Sequence, residues 1–501
     1  MHNPTMVLSL LLSAVAVTST ATLAVRADVG AAACTDIASS LGGAQVAISP
    51  LNASYIDSRH DYWNARQSRY APSCVVYPRS SQDVSVVIQA IRASDSRFAI
   101  KAGGHSPNNL FSSVDQGVLI DFKSMAAKSY DAATALATYE PGSNWGQLYE
   151  FYQQYDRTVM GGRLGGVGTG LALGGGLSYL APQYGMACDS FKNLEVVLPN
   201  GTITTASATS NPDLLFGLRG GGGNAFGIVT RYTVQSHPVG KFYAGTLIYV
   251  LDHAQAVLDA ARDFIAYNTN PKASIMATYE VLTTPDVLLN LDKFIVVFLV
   301  YDGTEPGTAF RNFTQIPHLL DTSKPNKTYT EVAEMPIPYT AELSRADNVF
   351  RIGAHRIEGA AGLQRPRELY DRYAAWAAAN KGLYVYVALN LYPVARSMTD
   401  ASRARGGNAM QMPDGPWFWV GYILSTPPGL LPGVYDKVQA SFRAMVEATP
   451  SAPGLPLFLN EAAADQRPLS TFPTYSRLQQ IKRKYDPDGF FVNRTGGWTF
   501  D

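Results

Sequence analysis

The sequence is poor in cysteine and in charge. Three cysteines in 501 residues rule out a disulfide scaffold and leave no four-ligand zinc site. Charged residues make up 16%, against roughly 25% in an average soluble protein. Forty Lys and Arg balance forty Asp and Glu. With no net charge there is no electrostatic drive toward phosphate backbones, so nucleic acid is excluded as a partner. Past residue 25 no apolar run is long enough to span a membrane. The common catalytic signatures are missing too. There is no G-x-x-x-x-G-K-[ST] loop, no G-x-S-x-G elbow and no H-E-x-x-H helix. The one loose G-x-G-x-x-A match, at Gly220, Gly222 and Ala225, precedes a strand rather than a helix.

What is present begins at the N-terminus. Val7–Val25 is the longest apolar run, and Val25-Arg26-Ala27 offers a small-x-small cleavage site. Residues 1–27 therefore read as a signal peptide, which makes the mature protein secreted and free of the membrane; the alternative is an uncleaved anchor, since 19 residues can just span a bilayer. In an oxidising compartment Cys34 and Cys74 suit a disulfide tying the mature N-terminus to the body, with Cys188 left as a buried thiol. The alternative is three buried, unpaired thiols. Glycosylation sequons begin at Asn52, Asn200, Asn312, Asn326 and Asn493.

Helical spacing of apolar residues predicts a helix over 81–94, behind Ser80 as cap with Asp83 three residues on. RFAIKAGG and GVLIDF read as strands, NWGQLYEFYQQY (144–155) as a helix, and EVVLPNGTITTAS as a hairpin around Asn200-Gly201. FGIVTRYTV (226–234) is a further strand. From about residue 240 the texture changes to apolar, aromatic-rich strands at 242–250, 274–282, 293–301, 383–392 and 417–425, with helices at 253–266 and 366–379 between them. Two late helices follow. The pattern predicts an α+β chain whose second half is built on one large sheet.

Two features carry the chemistry. Seventeen of the 43 glycines fall between Gly161 and Gly227, interleaved with Val, Leu and Ile. That interleaving argues against a solvated loop and for backbone brought close to a large ligand. Glycine amides can hold a pyrophosphate without a lysine. The second feature is His105 in IKAGGHSPNN, placed by a strand and two glycines beside whatever the turn grips. In isolation a structural or hydrogen-bonded histidine is the better explanation.

Together these stretches resemble a known family. YPRSSQDVSVVIQAIRAS, AIKAGGHSPN followed by GVLIDF, GLALGGGLSYLAPQYGMACDS, EVVLPNGTI and DLLFGLRGGGGNAFGIVTRY are similar to the FAD-binding domain of vanillyl-alcohol-oxidase type proteins, in their berberine-bridge-like fungal branch. Asn460-Glu461 and IKRKYDPDGFF match that family's tail. The resemblance implies a two-part FAD-binding domain of the PCMH type at 28–237. A substrate domain with a large antiparallel sheet covered by helices follows at 238–460, and a tail at 461–501 returns to the FAD domain. It implies FAD joined to His105, with Gly103, Gly104, Ser106 and Pro107 along the pyrophosphate. Gly168, Gly170, Leu173, Gly174, Gly175, Gly176, Gly185, Ile228 and Val229 would pack the rest of the cofactor.

Members with a second flavin bond carry a cysteine in the glycine run. Arg163 stands at or beside that position, so single attachment is expected. That departure leans away from a carbohydrate oxidase, the main alternative, and toward an oxidase of fungal secondary metabolism. Such an enzyme would remove hydride from an alcohol or amine C–H and pass electrons to O2, as a monomer. A ligand-binding glycoprotein without turnover is the rival outside the enzyme class. Phe458 replaces the family's tyrosine two residues before the Asn-Glu pair. Glu461, Tyr422 and Tyr475 are therefore the base candidates. Tyr384, Tyr386, Tyr392, Trp417 and Trp419 lie at strand alternation, as substrate-pocket walls or as ordinary sheet packing.

Overall fold

The computed structural model describes residues 29–223, 225–284, 286, 289, 291–335 and 346–500. The expected signal peptide at residues 1–27 lies outside them. The chain forms three main sheets with helices packed around them.

The first sheet runs in the order Val46–Ala47, Cys74–Val76, Val118–Asp121, Phe98–Lys101, with its last three strands parallel. Parallel neighbours require a crossover, and the helix Ser81–Ser94 supplies one. The Ser80 hydroxyl accepts the Asp83 amide, and Val84, Val87, Ile88 and Ile91 are buried along one stripe. Beside it, and against the strands themselves, packs the helix Val29–Leu41, whose Cys34 is bonded to Cys74. The expected disulfide is therefore present, and Cys188 is buried and free.

The second sheet is antiparallel, in the order Lys128–Asp131, Leu136–Tyr139, Ile228–Gln235, Phe191–Val197, Ile203–Ser207. Gly201 turns the last hairpin at φ 82°. The helix Trp145–Gln153 packs near it, started by a reciprocal cap between Asn144 and Gln147.

The third sheet has eight antiparallel strands. Its central order is Phe242–Tyr249, Lys293–Tyr301, Ala273–Leu282, Tyr386–Val394, Trp417–Thr426, with Asp347–Arg356 at one edge. Both faces are covered, which explains the nearly continuous apolar runs. Alternate residues Ile275, Ala277, Tyr279 and Val281 pack under the helices Ala254–Tyr267, Gly359–Ala379 and Pro432–Glu447. The opposite face, with Met276, Tyr386, Tyr392, Trp417 and Trp419, joins the core of the second sheet.

Two expectations shift. The strand expected from 383 starts at Tyr386, so Tyr384 turns to the helix side and donates to the Ala377 carbonyl. The edge strand Asp347–Arg356 was not expected, because Asp, Asn, Arg and His interrupt its alternation. Three of its polar residues find partners elsewhere in the chain: Asp347 pairs with Arg69, Asn348 with Asn64, and Arg351 with Asp465. Among the described residues no helix is long and apolar enough to cross a membrane. All five sequon asparagines are exposed.

Candidate functional site

A cavity of about 380 Å³ is lined by residues of all three sheets. One wall is the loop after the strand Phe98–Lys101. Lys101 fixes the strand end. Its buried ammonium donates to the Ser58 carbonyl at 2.9 Å and lies 3.5 Å from the carboxylates of both Asp61 and Asp121. Beyond it the loop meets the second glycine run backbone to backbone. A Cβ on Gly103 would lie 2.6 Å from the Gly168 nitrogen. No side chain fits between these two loops, so glycine is required at the crossing. Gly104 takes a φ of 62°. The amides of Gly103, Gly104, His105 and Ser106 donate to no acceptor among the described residues. Successive free amides in a turn form an anion-binding nest. The loop is held from outside, with Asn64 donating to the Pro107 carbonyl and Gln67 to that of Ser106.

His105 stacks on Trp63 with ring centroids 4.9 Å apart and planes 13° from parallel. Trp63 in turn sets its edge against Phe350 of the third sheet and donates its amide to the Gly104 carbonyl. Loss of solvent lowers the imidazole pKa to about 4, so the ring is neutral at physiological pH.

The facing wall is assembled from three distant segments. Arg163 donates to Glu461 Oε1 at 2.7 Å, sits 4.3 Å over the Tyr392 ring, and places Nη1 3.0 Å from Met276 Sδ. Gly421 lies beneath them. A Cβ there would come 2.8 Å from Glu461 Oε2 and 2.9 Å from the Tyr392 hydroxyl, so this strand glycine makes room for both groups. Burial raises Glu461 above the usual carboxylate range despite the opposing Arg163, and raises Tyr392 well above the ordinary phenol. Asn460 docks the tail onto the glycine run. Its amide donates to the Leu171 carbonyl and its oxygen accepts the Gly176 amide.

Most of the expected site residues come together here. His105, Gly103, Gly104, Ser106, Pro107, Gly168, Gly170, Leu173, Gly174, Ile228, Val229 and Glu461 all line the cavity. Gly175, Gly176 and Gly185 do not. They take positive φ in a packing layer behind it, against Met410, Ala187 and Asp189 respectively. Tyr422 is corrected as a base candidate. Strand alternation turns its ring to the helix side, against Phe442. Tyr475 is corrected too, since it stacks on Phe500 and lines no part of the cavity. Tyr386 and Tyr392 line the cavity, whereas Trp417 and Trp419 pack in the core beside it.

Sequence reasoning missed Trp63, Phe350, Thr278, Glu280 and Asn390. Only Glu280 left a trace, as a carboxylate inside the apolar run ASIMATYEVL. The cavity's donors and walls fit FAD. The nest suits a pyrophosphate, the neutral imidazole suits attachment to a flavin, and Leu173, Ile228 and Val229 give the apolar packing that a ring system needs.

Residues 72–207 match the profile of the FAD binding domain, and residues 473–496 match that of berberine and berberine-like proteins. An uncharacterized FAD-linked oxidoreductase of Arthroderma benhamiae is 34% identical, over 90% of this chain and 91% of that protein. A bifunctional solanapyrone synthase of Alternaria solani is 30% identical, over 85% and 81%. Among solved structures, the carbohydrate oxidase of Microdochium nivale superposes with a TM-score of 0.74 at 19% identity, covering 92% of this chain and 98% of that one. At that identity the likeness shows the fold alone. The chain is an FAD-linked oxidoreductase and belongs to the vanillyl-alcohol-oxidase and berberine-bridge-like family, with its PCMH-type FAD-binding fold.

Proposed function

We propose that this chain is a secreted oxidase that removes hydride from an alcohol or amine C–H of a small organic molecule, in fungal secondary metabolism, with O2 as acceptor. The observation that carries this reading is the opposition of two walls across one cavity: a neutral imidazole on a free-amide turn, and a buried Arg163–Glu461–Tyr392 cluster facing it. FAD, when bound, supplies the hydride acceptor.

His105 would hold the flavin through a single covalent bond. Neutrality is what this role needs, since only an unprotonated ring nitrogen has a lone pair to attach. Gly103, Gly104, His105 and Ser106 would hold the pyrophosphate by their amides. Arg163 fills the place where a second attachment would need a thiol. Glu461 takes the substrate O–H or N–H proton, and Arg163 at 2.7 Å opposes the upward pull of burial on its carboxyl. Tyr392, over the guanidinium, orients both groups. The walls Met276, Phe298, Phe350 and Ile423 exclude water and favour an apolar skeleton over a sugar. The Cys34–Cys74 disulfide and the exposed sequons support an oxidising, extracellular setting. The chain divides as FAD domain 28–237, substrate domain 238–460 and returning tail.

Acid precipitation tests the attachment. The yellow chromophore should stay with wild-type protein and wash out of His105→Ala. Colourless wild-type protein would sink the reading. Peroxide release across alcohols, amines and sugars tests the substrate class, with turnover expected on the first two and little on sugars.

A further inference from the structure

The third sheet carries a polar group that the proposed reaction does not use. Glu280 lies mid-strand in Ala273–Leu282, is 0% exposed and lines the cavity. Neither carboxyl oxygen has a hydrogen-bond partner among the described residues. Thr278, two residues back on the same face, is 4% exposed, and its hydroxyl is likewise without a partner. Across the strand pairs, Thr278 stands opposite Asn390 and Glu280 opposite Ala388, whose methyl offers the carboxyl no hydrogen bond. Leaving a buried polar group unsatisfied costs about 1–3 kcal/mol, and here two groups sit unsatisfied together at one cavity wall. Groups held so in a native core call for an explanation.

We propose that Glu280 and Thr278 form the polar pole of the substrate subsite, taking an uncharged, mainly apolar molecule by a hydroxyl or carbonyl oxygen. Their apolar neighbours, Met276, Phe298 and Ile423, supply the rest of the wall. The charged and titratable groups facing Glu280 are Asp286 from the following loop, Tyr386 across the strand pair and Tyr373 from the helix behind the sheet. None of them is a cation. Neither carboxyl oxygen has a cation or a donor among the described residues to hold a charge, and burial first, then Asp286, raises Glu280 well above the usual carboxylate range, which favours the neutral acid. A neutral carboxyl offers one donor and one acceptor, which match a hydroxyl or a carbonyl and do not neutralise an ammonium. The inference rests on the oxidase reading only in taking this cavity as the substrate's.

The test uses the purified, flavin-loaded enzyme and two fragment pairs that differ by one oxygen function, p-cresol with toluene and cyclohexanol with cyclohexane, plus benzylamine as a cation. Binding is read by calorimetry. One buried hydrogen bond should make the oxygenated member roughly tenfold tighter. Glu280→Gln, which keeps a donor and an acceptor, should retain that preference, and Glu280→Met should erase it without weakening the hydrocarbon. Equal binding within pairs by wild type, an undiminished preference in Glu280→Met, or tighter binding of benzylamine than of p-cresol overturns the proposal. Infrared difference spectra of wild type against Glu280→Gln need no ligand. They should show the carbonyl band of a protonated acid at neutral pH, and a carboxylate band overturns the proposal. Wild type that purifies colourless would sink the oxidase reading, and a Glu280-dependent preference in that protein would leave the subsite standing.

Discussion

Arg163→Leu isolates one carboxylate in the site. The two side chains of the pair are 14% and 12% exposed and meet at 2.7 Å. The substitution keeps apolar bulk beside Tyr392 and Met276 but leaves Glu461 buried without its cation. Breaking buried pairs in this way costs about 3–5 kcal/mol. Unfolding entropy of roughly 2.1 cal/mol/K per residue, summed over the chain, makes each kcal/mol worth about one degree. The melting temperature should therefore fall by about 3–5 °C near neutral pH.

The pH dependence gives the sharper check. Glu461 already lies above its usual range through burial, and loss of Arg163 raises it further. A carboxyl whose folded-state pKa exceeds the unfolded value takes up a proton on folding. Its contribution to stability is complete below the unfolded pKa, about 4.5, and is lost as pH rises through the folded value. The deficit of Arg163→Leu against wild type is thus smallest near pH 4 and widens toward pH 8, to roughly the full cost of the broken pair. Scanning calorimetry at acid, intermediate and alkaline pH measures it. Adding Glu461→Gln should recover most of the loss, because neither charge is then buried alone. A deficit equal at all pH values, or largest in acid, would refute the buried-pair account.

Gly168→Ala forces apart the loops that cross at Gly103, so the ratio of flavin to protein absorbance should drop severalfold while the fold melts cooperatively. Replacing Cys34 and Cys74 by Ser opens a loop of sequence separation 40, and loop-closure entropy puts the loss near 4 kcal/mol. Denaturant unfolding with and without reductant checks this, and equal stability of the two forms would count against it. Tyr422→Phe should leave turnover unchanged, since the hydroxyl lies on the helix side of the sheet. Tyr392→Phe should lower kcat about tenfold or more by loosening Arg163 and Glu461. The reverse ranking would reinstate Tyr422 as the base.

Much of the flavin domain was legible because its signals are local. Ser80 caps a helix whose apolar stripe can be counted, Asn200-Gly201 turns a hairpin, and a glycine pair before His105 marks a turn that other residues cannot make. The edge strand Asp347–Arg356 was not legible. Its polar residues break alternation, and their partners, Arg69, Asn64 and Asp465, lie far off in sequence. Tyr422 failed as a base candidate for a related reason. In a sheet covered on both faces, composition does not tell which alternate residues meet the cavity, so Tyr422 and Tyr392 look alike in the chain.

The sequence by itself determined the glycine turn and placed the histidine beside it, because both follow from backbone freedom within a short segment, while the Cys34–Cys74 pairing was one of two readings that the fold decided. Tertiary structure alone decided which glycines face the cavity and which only permit packing. It also decided that Arg163 meets Glu461 over Gly421, and that Glu280 is buried with its oxygens unpaired. Those outcomes depend on close approach between segments about 300 residues apart, and no periodicity along the chain encodes the distance between two walls.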